Sequence, residues 1–173
     1  EWAEIASEIP LQKPFAQPRE VVVEYPIAAN EKESDKTFLS LNFCVGSSLE
    51  PELCLALSIM EHFLLETPAA PLKKALLDAG IGKDVFGRFE DSILQPVFSV
   101  VVKNSEESKR EQFQDVVLST LRKLVDEGID KELIEASINR REFGLREADF
   151  GRFPKGLLYG ILLMNSWLYD GDP

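Results

Sequence analysis

Histidine is nearly absent: the 173 residues carry one, His62. A catalytic zinc is held by three protein ligands in an open site, drawn from combinations such as three His or two His and a Glu. One imidazole cannot supply the paired histidines of such a site. Cysteine is scarce too, at two, Cys44 and Cys54. That excludes a disulfide-stapled scaffold, which needs more cysteines in a shorter chain. Both lie in apolar stretches and read as reduced, buried thiols of a cytoplasmic protein, with a single bridge as the alternative. Positive charge is in deficit, 19 Lys+Arg against 30 Asp+Glu, a net charge of −11. This argues against a nucleic-acid binder, whose affinity comes from neutralising phosphates, and against an anionic membrane surface. Long hydrophobic runs are missing. The longest, 156–169, contains Asn165 and Ser166 and is too short and too polar to cross a bilayer. The chain opens Glu1-Trp2 with no Met, no basic segment and no apolar leader, so it reads as an excised segment or a processed product.

What is present is an ordinary globular composition, 45% hydrophobic and 28% charged, at a length that suits one domain. Residues 1–20 carry Pro10, Pro14 and Pro18 without sustained periodicity and read as an irregular lead-in; residues 21–173 read as the domain. The β-branched run 21–27, with Pro26 near its end, predicts a strand at a sheet edge. Residues 37–45 alternate, with Phe38, Ser40, Asn42 and Cys44 on one face and Thr37, Leu39, Leu41, Phe43 and Val45 on the other, as in a half-buried strand. Pro51 suits the first turn of a helix reaching about residue 66. That helix is apolar nearly all round, which predicts a central position. Thr67-Pro68 ends it. Pro71 opens a short helix with Leu72, Ala75, Leu76 and Ala79 inward and Gly80 as a left-handed stop.

Two strands follow, over 84–90 and 95–103. The second is apolar on both faces, which predicts cover on both. Ser108 is the expected cap of a helix presenting Phe113, Val116, Val117, Leu121 and Leu124, ended by Gly128. Asp130 caps another, to about 148, with Leu133, Ile134, Ile138 and Leu145 inward. A last helix spans about 154–169. The order ββ–αα–ββ–ααα predicts an α+β fold, a mostly antiparallel sheet packed against helices. The side chains expected to carry the packing are Leu53, Leu57, Met60, Leu76, Phe98, Val100, Val117, Leu121 and Trp167.

Several segments in succession resemble a known family. The stretch APLKKALLDAGIGKDV at 70–85 resembles the helix-turn-strand of insulinase-like (pitrilysin-type) zinc metallopeptidases. GIDKELIEA at 128–136 is similar to a helix-to-helix joint of that family. EFGLRE at 142–147, FPKGL at 153–157 and WLYDGDP at 167–173 resemble its presequence-protease branch. The resemblance implies a LuxS/mitochondrial-processing-peptidase-like metallohydrolase fold. It also implies a place as the second, non-catalytic domain of the N-terminal half of a chain with four related domains, whose halves close on a chamber. Zinc and the general base would then lie on an inverted His-x-x-Glu-His helix in the parent's first domain. The implied partners are the parent's other domains and a peptide substrate in the chamber, with neither nucleic acid nor membrane. The expected location is cytoplasmic, the parent being cytoplasmic or organellar.

Within this segment the sequence assigns no catalytic, metal-ligating or cofactor-binding residue. Ser58-Ile59-Met60-Glu61-His62 matches the inverted motif except at its first position. It is either a degenerate copy left by domain duplication or a coincidence, and Ser58 is a poor substitute for imidazole or thiolate as a ligand. His62 and Glu66, four apart, are placed to pair on a helix surface. Cys54 and His62 lack the third, orienting group of a thiol nucleophile. Glu142, Arg146 and Glu147 read as a solvated helix face with i,i+4 pairing. Gly80 and Gly82 lack the spacing and the Lys-Ser/Thr of a phosphate loop. Phe153-Pro154-Lys155-Gly156 reads as the turn that aims the last helix. The function expected is a chamber-wall domain of a zinc-dependent peptidase. The alternatives are an inactive assembly or binding subunit of the same superfamily and, more remotely, a free-standing acidic chaperone-like protein.

Overall fold

The computed structural model describes residues 8–148 and 151–172, in two units, Glu1–Glu31 and Lys32–Pro173. In the first unit the described residues form neither strand nor helix. Within it the Arg19 guanidinium lies 4.5 Å above the Phe15 ring. The run 21–27 is therefore not the strand its composition predicts: Val21, Val22 and Val23 stand 75–79% exposed. β-Branched residues favour a pleated, half-buried surface, and without a partner strand and a covered face that preference has nothing to act on.

The second unit runs β1 (Thr37–Cys44), α1 (Pro51–Glu61), a π-helical turn (His62–Glu66), α2 (Pro71–Asp78), β2 (Asp84–Glu90), β3 (Val97–Ser105), a 3₁₀ turn (Glu107–Lys109), α3 (Arg110–Glu127), α4 (Lys131–Arg146) and α5 (Lys155–Trp167). The sheet order is β1-β3-β2, antiparallel throughout. The register sets Leu39 and Val85 on either side of Val102, and Phe43 and Phe89 on either side of Phe98. These residues share the inner face with Val100 and are covered by Phe63, Leu64 and Leu65 of the π turn, Leu72 and Leu76 of α2, and Phe113 and Val117 of α3. Each such side chain removed from water contributes about 1.5–3 kcal/mol.

Local sequence accounts for much of this. The β1 alternation holds, with residues 38, 40, 42 and 44 outward. Gly80 adopts φ +64°, ends α2 and turns the chain into β2. Asp130 caps α4 by accepting the Glu132 N–H at 2.9 Å. Buried Ser105, at the end of β3, donates to the Ile81 carbonyl at 2.5 Å and so ties the α2–β2 link to the sheet.

Other expectations are overturned. Cys44 is exposed, because it lies on the outward face of β1, and Cys54 is only half-buried; both are free thiols. The outer face of β3 is only half-buried, Val97, Ser99, Val101 and Lys103 all being of intermediate exposure. Lys103 spreads over it, its ammonium 5.7 Å from the Phe38 ring and 5.1 Å from Phe86. Ser108 makes no cap bond, since the 3₁₀ turn absorbs it before α3 begins. The helix over 51–66 is not central along its length. No residue of α1 is buried, and burial begins only at the π turn. Leu53 and Trp167 are accordingly exposed rather than packed, as are Ile138 and Leu145 of α4. By length and composition alone the helical stretch Pro51–Asp78 would suit a membrane. Here its middle, Phe63–Leu65, is the core itself.

Candidate functional site

The residues that echo the metal motif sit where α1 passes into the π turn. A π turn admits an extra residue into the helical ladder, and such turns often mark functional positions. It lies across β2 at Gly87. A Cβ there would come within 2.5 Å of Leu65 Cδ1 and 3.2 Å of Glu61 Cγ, so glycine is what lets the helix settle on the strand.

The polar groups at this junction are already engaged. His62 Nδ1 lies 2.8 Å from Ser137 Oγ on α4, while Nε2 stands 4.0 Å from Glu66, the i,i+4 pair expected. Ser137 is 1% exposed. Its hydroxyl also donates to the Leu133 carbonyl at 2.8 Å. Burial raises the pKa of Glu61 above the usual carboxylate range, with the Glu66 charge adding to it. A backbone hydrogen bond from Phe89 and the charge of Arg141 act the other way.

These donors do not fit zinc. The one imidazole turns Nδ1 to Ser137, Ser58 offers only a hydroxyl, and a tetrahedral site wants three strong ligands together with an open position. Nor is Cys54 an activated thiol. Cys54 donates weakly to the Ser47 carbonyl, at 3.5 Å. Burial, followed by the charges of Asp91 and Glu50, raises its pKa, which is the opposite of what a nucleophile needs. Glu142 and Arg146 pair at 2.5 Å on an exposed stretch of α4, and Glu147 stands exposed at the helix end. Gly80 and Gly82 belong to the α2–β2 turn.

Two features had no counterpart in the sequence reading, Ser137 and the π turn. The first left a signal: Ser137 follows Leu133 by four residues and so interrupts an apolar stripe with a hydroxyl, a position that asks for a buried partner. The second left none, because 51–66 is continuously helix-forming.

The family model described as the Peptidase M16 inactive domain matches residues 3–141. The chain belongs to that family. This M16 domain is 53% identical, over all 173 residues, to Protein HypA of Clostridium perfringens, of which it spans 18%. It is 36% identical over 170 residues to Presequence protease 1, chloroplastic/mitochondrial, of Arabidopsis thaliana, of which it spans 16%. Among solved structures it resembles the inactive peptidase domain of a candidate zinc protease from Bordetella parapertussis. That match has a TM-score of 0.64 and 14% identity and covers 78% of this chain and 70% of the other. A candidate zinc protease of Bordetella pertussis Tohama I matches with a TM-score of 0.63 and 16% identity, over 78% and 72% of the two chains. At these identities the structures establish the fold. The family description agrees with the donor chemistry: the M16 domain has the architecture of a peptidase domain, and the residues in the motif's place do not fit the metal.

Proposed function

We propose that this domain is a non-catalytic wall of a zinc-dependent peptidase that degrades peptides, the zinc and the general base residing in another domain of the parent chain. The observation that carries the reading is His62. It stands at the last position of the inverted motif, yet it bonds Ser137 and has no companion histidine. Its role here is structural, and the hydrolytic chemistry falls to the rest of the parent. The presequence protease named above supports a peptide-degrading parent. The domain spans 16–18% of those two relatives, which leaves most of such a chain to supply the metal site.

The partners in this reading are the parent's other domains and a peptide held in the chamber. Exposed apolar residues of α5, among them Leu157, Ile161, Leu162 and Trp167, support a surface that neighbouring domains cover. The net charge of −11 supports a partner other than nucleic acid and divides between the chamber wall and outer solvated faces. A cytoplasmic location is part of the proposal, an organellar parent being compatible with it.

The test measures zinc content and cleavage of a flexible peptide for the purified 173-residue chain and for its full parent. Substoichiometric zinc and no cleavage are expected of the chain alone, and chelator-sensitive cleavage of the parent. One tightly held zinc per isolated chain overturns the assignment. A parent without cleavage replaces it with the inactive assembly subunit.

A further inference from the structure

α4 is attached to the rest of its unit in an unusual way. Of its sixteen residues only Ser137 is buried. Of its larger apolar side chains Leu133 and Ile134 are half-buried, whereas Ile138, Phe143 and Leu145 are 44%, 66% and 53% exposed. The hydrophobic contact that normally seats an amphipathic helix is thin, and the buried position is occupied by a hydroxyl instead. That hydroxyl has one hydrogen, and it is directed to the Leu133 carbonyl, 2.8 Å away. With its hydrogen given to Leu133, the oxygen presents a lone pair toward His62, which matches a protonated Nδ1 at 2.8 Å. Glu66, 4.0 Å from Nε2, lies beyond hydrogen-bond distance and is half-exposed, so it does not compete for that proton with equal strength.

We propose that His62 is a positioning residue that seats α4 on the π turn by donating its Nδ1–H to buried Ser137. It follows that the neutral ring is held in the Nδ1–H tautomer. A donor at Nδ1 is present in the imidazolium as well, so both protonation states make the same bond. The bond spans 75 residues of sequence. It orients α4.

Because the chain has a single histidine, long-range ¹H–¹⁵N spectra of the histidine-labelled 173-residue chain report on one ring. For the neutral ring in alkaline buffer, Nδ1 is expected to show the shift of a protonated nitrogen and Nε2 that of a bare one. The reverse assignment overturns the proposal without any mutation. Amide exchange supplies the second reading. Ser137→Ala and His62→Leu are each expected to speed exchange in Lys131–Arg146 about 5- to 30-fold, while Arg110–Glu127 stays unchanged. His62→Asn, whose amide N–H can occupy the place of Nδ1, is expected to restore protection to within about twofold. Unchanged α4 exchange in both Ser137→Ala and His62→Leu overturns the proposal. If His62→Leu fails to fold, Ser137→Ala and the spectrum of the unsubstituted ring decide.

Discussion

α3 and α5 differ in composition and end in opposite environments. α3 sends Phe113 and Val117 into the sheet's inner face, with Val116, Leu121 and Leu124 packed beside them. α5 is the more apolar by composition, KGLLYGILLMNSW, yet none of its thirteen residues is buried. The difference is not one of helix-forming power. α3 is polar on one side and apolar on the other, so one sheet face satisfies it. α5 is apolar around most of its circumference, and no single neighbour could cover it. Helices of that kind end up inside larger assemblies. The two regions therefore differ in role, with the sheet and its covering helices forming the core and α5 displaying apolar surface.

The strongest way to break this contrast is to delete the same atoms in both regions. Leu76→Ala removes a side chain of 0% exposure from the core, and Leu162→Ala one of 55% exposure from α5. The first is expected to cost about 2–5 kcal/mol in urea unfolding, and the second no more than about 0.5 kcal/mol. Equal costs would mean that α5 is buried in solution and that the division is false.

Gly87→Ala sharpens the boundary between the regions. The new methyl must displace Leu65 and Glu61 where the π turn crosses β2. A loss of about 1–3 kcal/mol is expected, by the same denaturant titration. A neutral result would show that the α1 end of the turn lifts freely, so that the packed region is smaller than drawn.

The smallest effect expected is electrostatic. Burial raises the pKa of Glu61. The folded state then binds its proton more tightly than the unfolded state does. The resulting stabilisation is present below the ordinary carboxylate range and is lost as pH rises through the folded-state pKa. Glu61→Gln should therefore be more stable than the parent sequence at about pH 8, with the gap closing toward about pH 3. A gap independent of pH would show that Glu61 is as solvated as an ordinary surface carboxylate.

Much of the fold was legible in advance, for reasons that can be stated residue by residue. The alternation in 37–45 set the two faces of β1. Pro71 and Gly80 bounded α2, and Asp130 capped α4. Those signals are local, since each depends on the backbone geometry of one or a few residues. The candidate site was legible only in outline. Ser58, Glu61 and His62 were visible as an incomplete metal motif and Glu66 as a surface partner, but Ser137 is 75 residues from His62 and no local rule pairs them. The β-branched residues at 21–27 promised a strand, which depends on a partner that composition cannot supply.

The lone histidine marks the division between sequence and tertiary structure. By itself the sequence determined that this segment lacks the paired imidazoles of a catalytic zinc helix, since ligand count is a property of composition. It also determined where most helices and strands lie, because periodicity and capping act within a turn or a pleat. Only the tertiary structure decided that His62 meets Ser137, that the core begins at the π turn rather than along α1, and that α5 stands uncovered. Those outcomes depend on which surfaces meet, and burial is settled by neighbours distant in the chain.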